Sequence, residues 1–203
     1  PYEPDLAERI KRKRNDPDAV KRAEVMAEDY LKKANVKLQT KNEFVVNSFL
    51  LYQVFEDLLK ENSADAIAIN ECMSTIIPIA KTTACLPLSL INDEGGVAVC
   101  EGDVVTFPAY LLLHAIANKP VFLNDPTFPH DGVVTIAHCT APTVMNGKTP
   151  EGVELTTHYE SDYGAAPKVL FPKDQEVTVL DAAFEENVWV GFKAKTSGST
   201  SYP

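Results

Sequence analysis

The hydrophobic pattern of this chain changes near residue 119, and this change limits the folds that the chain can adopt. Before residue 119, apolar residues recur at helical spacing in two long stretches, at about 17–34 and 43–60. After it, short runs rich in β-branched and aromatic residues follow one another with no helical stretch between them. These runs are residues 121–123, 133–137, 153–157, 168–171, 176–180 and 187–193. Helices and strands segregated in this way along a chain are typical of the α+β class.

Residues 1–118 are predicted to form a partial, Rossmann-like α/β segment. Two short apolar runs, at 66–69 and 97–100, are predicted to be strands, and a third helix is predicted at about 106–117. A long helix followed by a short buried strand that ends in polar residues is typical of an α/β unit. In such units, ligands bind at the carboxyl ends of the strands.

Residues 119–203 are predicted to form an antiparallel β-barrel domain, with a β-sandwich as the alternative. Turn sequences separate the predicted strands, such as PHDG at 129–132 and NG at 146–147. The polar residues 196–201 predict an open loop after the last strand. Because a domain rarely ends on an open loop directly after a strand, we expect the sequence to be a fragment of a longer protein.

Charge, hydropathy and cysteine spacing exclude several functional classes. The net charge is -10, and an acidic surface repels phosphate backbones, so we expect no nucleic-acid partner. The longest apolar run, 104–117, is interrupted by Pro108 and His114 and is too short to cross a bilayer. The sequence opens without a secretory signal, and its four cysteines form no CxxC pair. We therefore expect a cytoplasmic protein with buried, reduced thiols.

Four groups able to bind a metal are predicted at strand ends: Glu101, Asp125, His138 and His158. Each also has a simpler interpretation. Glu101 can be an acid near a helix N-terminus, Asp125 can form a turn before Pro126, and the histidines can be core residues. Taken together, two carboxylates and one or two imidazoles suit a divalent ion such as Mn²⁺. The set needs no thiolate, which argues against structural zinc.

Four sequence motifs resemble the L-fucose isomerase and L-arabinose isomerase superfamily. They are CLPLSLINDEG at 85–95, CEGDV at 100–104, NKPVFLNDP at 118–126 and AHCTAP at 137–142. The likeness extends over about residues 64–166, and it is greatest for the fucose-isomerase-like C-terminal region. Several motifs in the same order make the resemblance fairly specific.

The resemblance implies site residues and a cofactor. Glu101 matches the family glutamate that binds metal and transfers protons, and Asp125 matches the second acidic ligand and catalytic partner of the fucose isomerases. His158 is expected to be the ligand histidine of the fucose type, whereas His138 matches a metal-binding histidine of the arabinose branch. In that branch the second acid would fall on Asn124, which makes arabinose a less suitable substrate. The metal is usually Mn²⁺, with Mg²⁺ and Co²⁺ as other divalent candidates.

The resemblance also implies an activity and an assembly. Family members interconvert aldoses and ketoses, so the expected substrate is a monosaccharide, converted through an ene-diol by two carboxylates and a metal. Family members are longer than this chain and form homo-oligomers, often trimers or hexamers, whose neighbouring subunits complete the active sites. Two alternatives stay open: a non-catalytic carbohydrate-binding or regulatory module on the same scaffold, and a metal-dependent hydrolase. The identity of the sugar cannot be predicted from these residues.

Overall fold

The computed structural model describes residues 3–199 of the chain. Its six α-helices within those residues are α1 Glu3–Asn15, α2 Pro17–Leu31, α3 Asn42–Glu61, α4 Ile77–Ala80, α5 Cys85–Asp93 and α6 Phe107–Ala117. A π-helical turn, Cys72–Ile76, leads directly into α4. Residues 200 and 201 of the predicted terminal loop lie outside the described residues, and residues 196–199 follow the last strand without regular structure.

The predicted start of α2 and the course of α3 are both confirmed. The Asp16 side chain caps α2 by accepting a hydrogen bond from the backbone N–H of Asp18 at 2.9 Å, and Pro17 occupies the first turn, where a missing N–H costs nothing. The helix α3 is buried on most of its surface because it packs between two apolar clusters. One cluster contains Leu51 and Phe55 of α3. In the other, Val45 and Phe49 of α3 contact residues of the central sheet.

The strands form four small sheets. They are β1 Val36–Leu38, β2 Ala66–Ala68, β3 Val97–Val99, β4 Asp125–His130, β5 Val133–Ala137, β6 Gly152–His158, β7 Tyr163–Leu170, β8 Glu176–Ala183 and β9 Val188–Lys195. The largest sheet has the order β1-β6-β7, with β1 parallel and β7 antiparallel to β6. The other three are the parallel pair β2–β3 and the antiparallel hairpins β4–β5 and β8–β9.

The mixed α+β class is confirmed, but the predicted layout is not. Residues 3–199 form no closed barrel, because the strands after residue 119 divide among three sheets of two or three strands. The parallel unit before residue 119 also consists of only two strands, β2 and β3. The strand β1 precedes residue 119 and pairs with β6 beyond it, so the central sheet joins both parts of the chain. The division into domains at residue 119 stays a prediction.

Residues 121–123 were expected to be a strand that ends before Asp125, and this prediction is wrong. The side chain of Asn124 donates a hydrogen bond to the Phe122 carbonyl at 2.9 Å, and residues 121–124 adopt no regular structure. The strand β4 begins instead at Asp125, so this acid lies at a strand start. The two prolines of β4 are tolerated because β4 pairs with β5 alone and its other edge carries no ladder.

Two polar side chains near the end of α5 hold the surrounding backbone in place. Asn92, which is 2% exposed, bonds both the N–H and the C=O of Ala98 at 2.7 Å. The Asp93 carboxylate accepts hydrogen bonds from the N–H groups of Thr143 and Val144 and from the Thr143 hydroxyl. As a result, α5 fixes β3 on one side and the loop after β5 on the other.

Within residues 3–199, no helix taken singly has both the length and the apolar character that crossing a membrane requires. One sharply bent pair, Cys72–Ala80 with Cys85–Asp93, meets those two criteria only when both members are counted together.

Candidate functional site

Glu101 lies in the turn directly after β3, as expected for an acid at the carboxyl end of a parallel strand. Its backbone is left-handed, with φ of 64°, and its side chain is 67% exposed. Gly102 follows with φ of 57°, and a Cβ at this position would lie 3.2 Å from the Cα of Asn70. The turn therefore packs tightly against the end of β2 and presents the Glu101 carboxylate to solvent.

His138 follows β5 and faces Glu101. Its Nε2 lies 3.9 Å from Oε1 of Glu101, and its side chain is only 2% exposed. The hydroxyl of Thr140 is 3.1 Å from Nδ1 of the ring. Burial lowers the pKa of His138, although the negative charges of Asp125 and Glu101 partly oppose this effect. The ring is therefore neutral at neutral pH, which is the form of imidazole that binds metals.

Asp125 is exposed at the start of β4. In the β4–β5 hairpin it pairs with Ala137, the residue before His138. The charge of Asp125 raises the pKa of His138 more than the charge of Glu101 does, so this second carboxylate interacts electrostatically with the imidazole. The acid thus lies at the start of β4, and the histidine follows directly after β5.

His158 is the last residue of β6 and is 7% exposed. Its ring stacks on Tyr159 with centroids 4.9 Å apart, and its Nδ1 lies 3.3 Å from the Ser161 hydroxyl. Burial lowers the pKa of His158, and the charges of Glu160 and Glu101 act in the opposite direction. Electrostatic interaction with His138 lowers it further.

The structure brings the four predicted residues into one region without gathering them around a single point. Glu101 interacts electrostatically with both histidines, and Asp125 interacts with His138. Among residues 3–199, however, no group of three ligand atoms within 4.8 Å of one another includes either carboxylate. That all four residues share one coordination sphere stays a prediction. Sequence reasoning also missed Glu160, whose charge acts on both histidines.

A different group in the same region can hold a metal ion, and sequence reasoning missed it. One ligand atom each of Cys85, Cys139 and His158 lies within 4.8 Å of the others, and all three residues are buried. The two cysteines are far apart in sequence and belong to no spacing motif, so only the fold brings them together. All four cysteines of the chain are free thiols, as expected, although Cys72 is only partly buried.

Two clefts lie elsewhere on the molecule. A cleft of about 220 Å³ is lined by residues that include Asp93, His114 and Lys119. A shallower one of about 760 Å³ is lined by residues that include Tyr52 and Glu56. Neither contains Glu101, Asp125 or the two histidines.

Comparison with known proteins gives one distant relationship. No family model matches the chain. The chain is similar to the sulfoquinovose isomerase of Clostridium sp. (strain MSTE9), with 23% identity over 110 residues, which are 53% of this chain. These residues cover 24% of the Clostridium protein, so the chain spans about a quarter of the length of this relative. The similarity supports a distant link to the sugar isomerases.

Proposed function

We propose that this chain carries the proton-transfer and metal-binding residues of an aldose–ketose isomerase of the fucose-isomerase-like type. The observation that carries the proposal is the approach of the Glu101 carboxylate to 3.9 Å from the buried ring of His138, with Asp125 in electrostatic interaction with the same ring. The similarity to a sulfoquinovose isomerase supports the same reaction class. The substrate is a monosaccharide.

The donor chemistry of these residues fits a divalent cation. Glu101 and Asp125 are exposed, so their carboxylates are accessible to an ion without further burial of charge. His138 and His158 are the candidates for the nitrogen ligand, since burial keeps both rings neutral. Two carboxylates and an imidazole suit Mn²⁺, with Mg²⁺ and Co²⁺ as related alternatives. When bound, such an ion would stabilise the negative charge that develops on the sugar oxygens.

The two carboxylates divide the proton transfers between them. One removes the proton from C2 of the aldose while the carbonyl oxygen O1 gains a proton, which produces an ene-diol. The same carboxylate returns the proton to C1, and the hydroxyl on C2 loses its proton, so that a carbonyl forms there. The other carboxylate moves the proton between O2 and O1. Atoms and electrons balance, because the ketose is an isomer of the aldose.

The exposure of Glu101 and Asp125 also supports an active site that a second subunit completes. Proton abstraction next to a carbonyl proceeds best where bulk water is excluded, and these two acids face solvent in the single chain. Large apolar side chains are exposed elsewhere, among them Ile116 at 75% and Trp189 at 49%. We therefore propose a homo-oligomer, a trimer or hexamer, in which a neighbouring chain covers the carboxylates.

The experiment measures metal binding and turnover separately. The thermal unfolding midpoint is recorded with and without Mn²⁺ for the wild-type chain, Glu101→Gln and the control Glu176→Gln, an exposed acid paired with Lys193. We expect Mn²⁺ to raise the midpoint of the wild type and the control but not that of Glu101→Gln, because an ion bound to the native state stabilises it. An equal rise in all three proteins would contradict the metal assignment.

Turnover is then tested with a panel of aldoses, Mn²⁺ and deuterated water. Incorporation of solvent deuterium into the ketose at C1 is expected from the ene-diol route, and its absence would instead favour a hydride shift. Stabilisation by a sugar without metal, unchanged in Glu101→Gln and without turnover, would identify a non-catalytic carbohydrate-binding module and overturn the isomerase proposal.

A further inference from the structure

Two thiols and an imidazole from distant parts of the chain meet near the start of α5 and the ends of β5 and β6. Cys85 is the first residue of α5, Cys139 follows β5, and His158 ends β6. Ligand atoms of these three residues lie within 4.8 Å of one another. Cys100, which follows β3, interacts with Cys139 as well, because a hydrogen-bond interaction with the Cys139 thiol lowers the pKa of Cys100. Two sulfur atoms and one imidazole are thus gathered from three parts of the chain.

This group is sealed from solvent. The exposed fraction is 0% for Cys85, 3% for Cys100, 8% for Cys139 and 7% for His158. Cys85 and Cys139 pack against Ala166 of β7 and form a separate small cluster. A buried imidazole beside buried thiols, with no charged partner inside the cluster, is an unusual component of an apolar core.

The elements that supply the ligands are held rigidly relative to one another. The Ser89 hydroxyl of α5 donates a hydrogen bond to the Ala141 carbonyl at 2.7 Å, which ties Cys85 and Cys139 to the same frame. Asn92 fixes the backbone of Ala98, two residues before Cys100. The positions of the sulfur atoms therefore follow from the fold and do not depend on an exposed loop.

The donor types and the spacing of these three ligand atoms fit a site with thiolate and imidazole ligands. Thiolate sulfurs bound to one Zn²⁺ stand about 3.8 Å apart, given a zinc–sulfur distance of about 2.3 Å. The limit of 4.8 Å between the present ligand atoms thus leaves an adjustment of at most about 1 Å, which side-chain rotation can supply. Sulfur and imidazole ligands select Zn²⁺ over Mn²⁺ and Mg²⁺, which favour oxygen.

We infer that Cys85, Cys139 and His158 form a binding site for a thiophilic divalent cation of the Zn²⁺ type, distinct from the carboxylates of the proposed isomerase site. The two sites are neighbours in sequence, because Cys139 directly follows His138. Their ligand chemistry distinguishes them, with buried sulfur atoms in one and exposed carboxylate oxygens in the other, although Cys139 Sγ lies 3.8 Å from Nδ1 of His138. In this arrangement His158 belongs to the thiol site and His138 to the carboxylates.

Cobalt spectroscopy of the full chain tests the inference. The chain is purified free of metal, reduced, and titrated anaerobically with Co²⁺, whose bonds to thiolates give a charge-transfer absorption in the near ultraviolet. We expect stoichiometric absorption that Zn²⁺ abolishes by displacement. It is expected to be lost in Cys139→Ser and retained in the control Cys72→Ser, whose thiol accepts a hydrogen bond from the Ala84 amide and lies outside the group. No thiolate absorption in the wild type, or unchanged absorption in Cys139→Ser, would overturn the inference.

A second measurement uses only the wild-type chain and therefore does not depend on the folding of a variant. Wild-type chain is alkylated with and without Zn²⁺, and the modified cysteines are located by mass spectrometry. Slower alkylation of Cys85 and Cys139 in Zn²⁺, with an unchanged rate at Cys72, is expected; equal rates at Cys85 and Cys139 with and without Zn²⁺ would contradict the site. Glu101→Gln separates this inference from the isomerase proposal, since it should lose turnover while keeping the thiolate absorption.

Discussion

Nε2 of His138 lies 3.9 Å from Oε1 of Glu101, and Glu101 reaches this position from a left-handed backbone, with φ of 64°. A residue with a Cβ pays for this conformation in stability, whereas glycine does not. Non-glycine residues held in such conformations cluster at functional sites, where the surrounding structure maintains them. Replacing Glu101 by glycine is therefore predicted to change stability and function in opposite directions.

Replacing Glu101 by glycine is expected to raise the free energy of unfolding by about 1 kcal/mol, because glycine adopts the left-handed backbone without strain. The same substitution removes the carboxylate and should abolish both turnover and stabilisation by Mn²⁺. Urea unfolding and the Mn²⁺-dependent midpoint measure the two effects. Lys81→Gly is the matched control, since Lys81 is exposed with φ of 56°, and it should gain stability while keeping the response to Mn²⁺. A loss of stability in Glu101→Gly would refute the strain argument.

Asn92→Ala is expected to lower the free energy of unfolding by about 3 kcal/mol. The substitution leaves the N–H and C=O of Ala98 without their side-chain partner in a buried environment, and it removes the acceptor of the Tyr110 hydroxyl. Urea unfolding monitored by circular dichroism gives the value. In the control Asn47→Ala, a single exposed hydrogen bond to the Lys81 carbonyl is lost, and about 0.5 kcal/mol or less is expected. Similar losses in both variants would contradict the assigned role of Asn92.

Gly164→Ala is expected to destabilise the chain by about 2–4 kcal/mol, because two costs add. Its φ is 75°, and a Cβ there would lie 2.5 Å from the backbone nitrogen of Thr83, which cannot move aside easily. Gly132→Ala separates the two costs, since Gly132 has φ of 77° but no atom within 4 Å of the added Cβ. This control should lose only about 1 kcal/mol from backbone strain. Equal losses in thermal or urea unfolding would mean that the contact with Thr83 is unimportant.

The pH dependence of stability should contain a contribution from Glu56. Burial raises the pKa of Glu56, and the negative charge of Glu94 raises it further. Glu94 is held in place by the Tyr52 hydroxyl, which donates to it at 2.5 Å. Because the folded state holds this proton more tightly than the unfolded state, the contribution is present below the ordinary glutamate pKa of 4.5 and is lost as pH rises through the raised value.

Glu56→Gln should remove the loss of stability that accompanies ionisation of Glu56. Between pH 4.5 and neutrality, the urea midpoint of this variant should therefore fall less than that of the wild type. Glu176→Gln, an exposed acid of β8, serves as the control and should follow the wild type. Parallel curves for wild type and Glu56→Gln would exclude the effect.

Sequence signals were sufficient to predict a helix or strand where they involved only neighbouring residues. The helix that starts near residue 17, the long apolar stretch of α3 and the short strand before Glu101 are all determined within one element. The start of β4 was missed because prolines at 126 and 129 resemble turn signals, and only pairing with β5 makes them compatible with a strand. The barrel was a wrong expectation for the described residues, because strand sequences specify pairing partners weakly.

The candidate site likewise contains residues that local sequence predicted and residues that only the fold brings together. Strand ends identified Glu101, His138 and His158 individually, and the fold places them in one region. The thiol group could not be predicted from spacing, since Cys85 and Cys139 meet only through the contact between α5 and the loop after β5. Long-range packing, which carries no local signature, decides which ligands share a site.

The exposed face of β9 predicts self-association of the chain. Val188, Val190 and Phe192 alternate along this strand and therefore lie on one face, and each is between 45% and 50% exposed. An apolar face of this kind is typical of a protein interface. We expect light scattering to detect an oligomer of the wild-type chain and a shift towards monomer in Phe192→Asp, because a charge buried at an interface is costly. Thr178→Asp is the control, since Thr178 pairs with Lys193 and its side chain lies on the opposite face of the hairpin. A monomeric wild type, or an equal shift in both variants, would rule out this face as the interface.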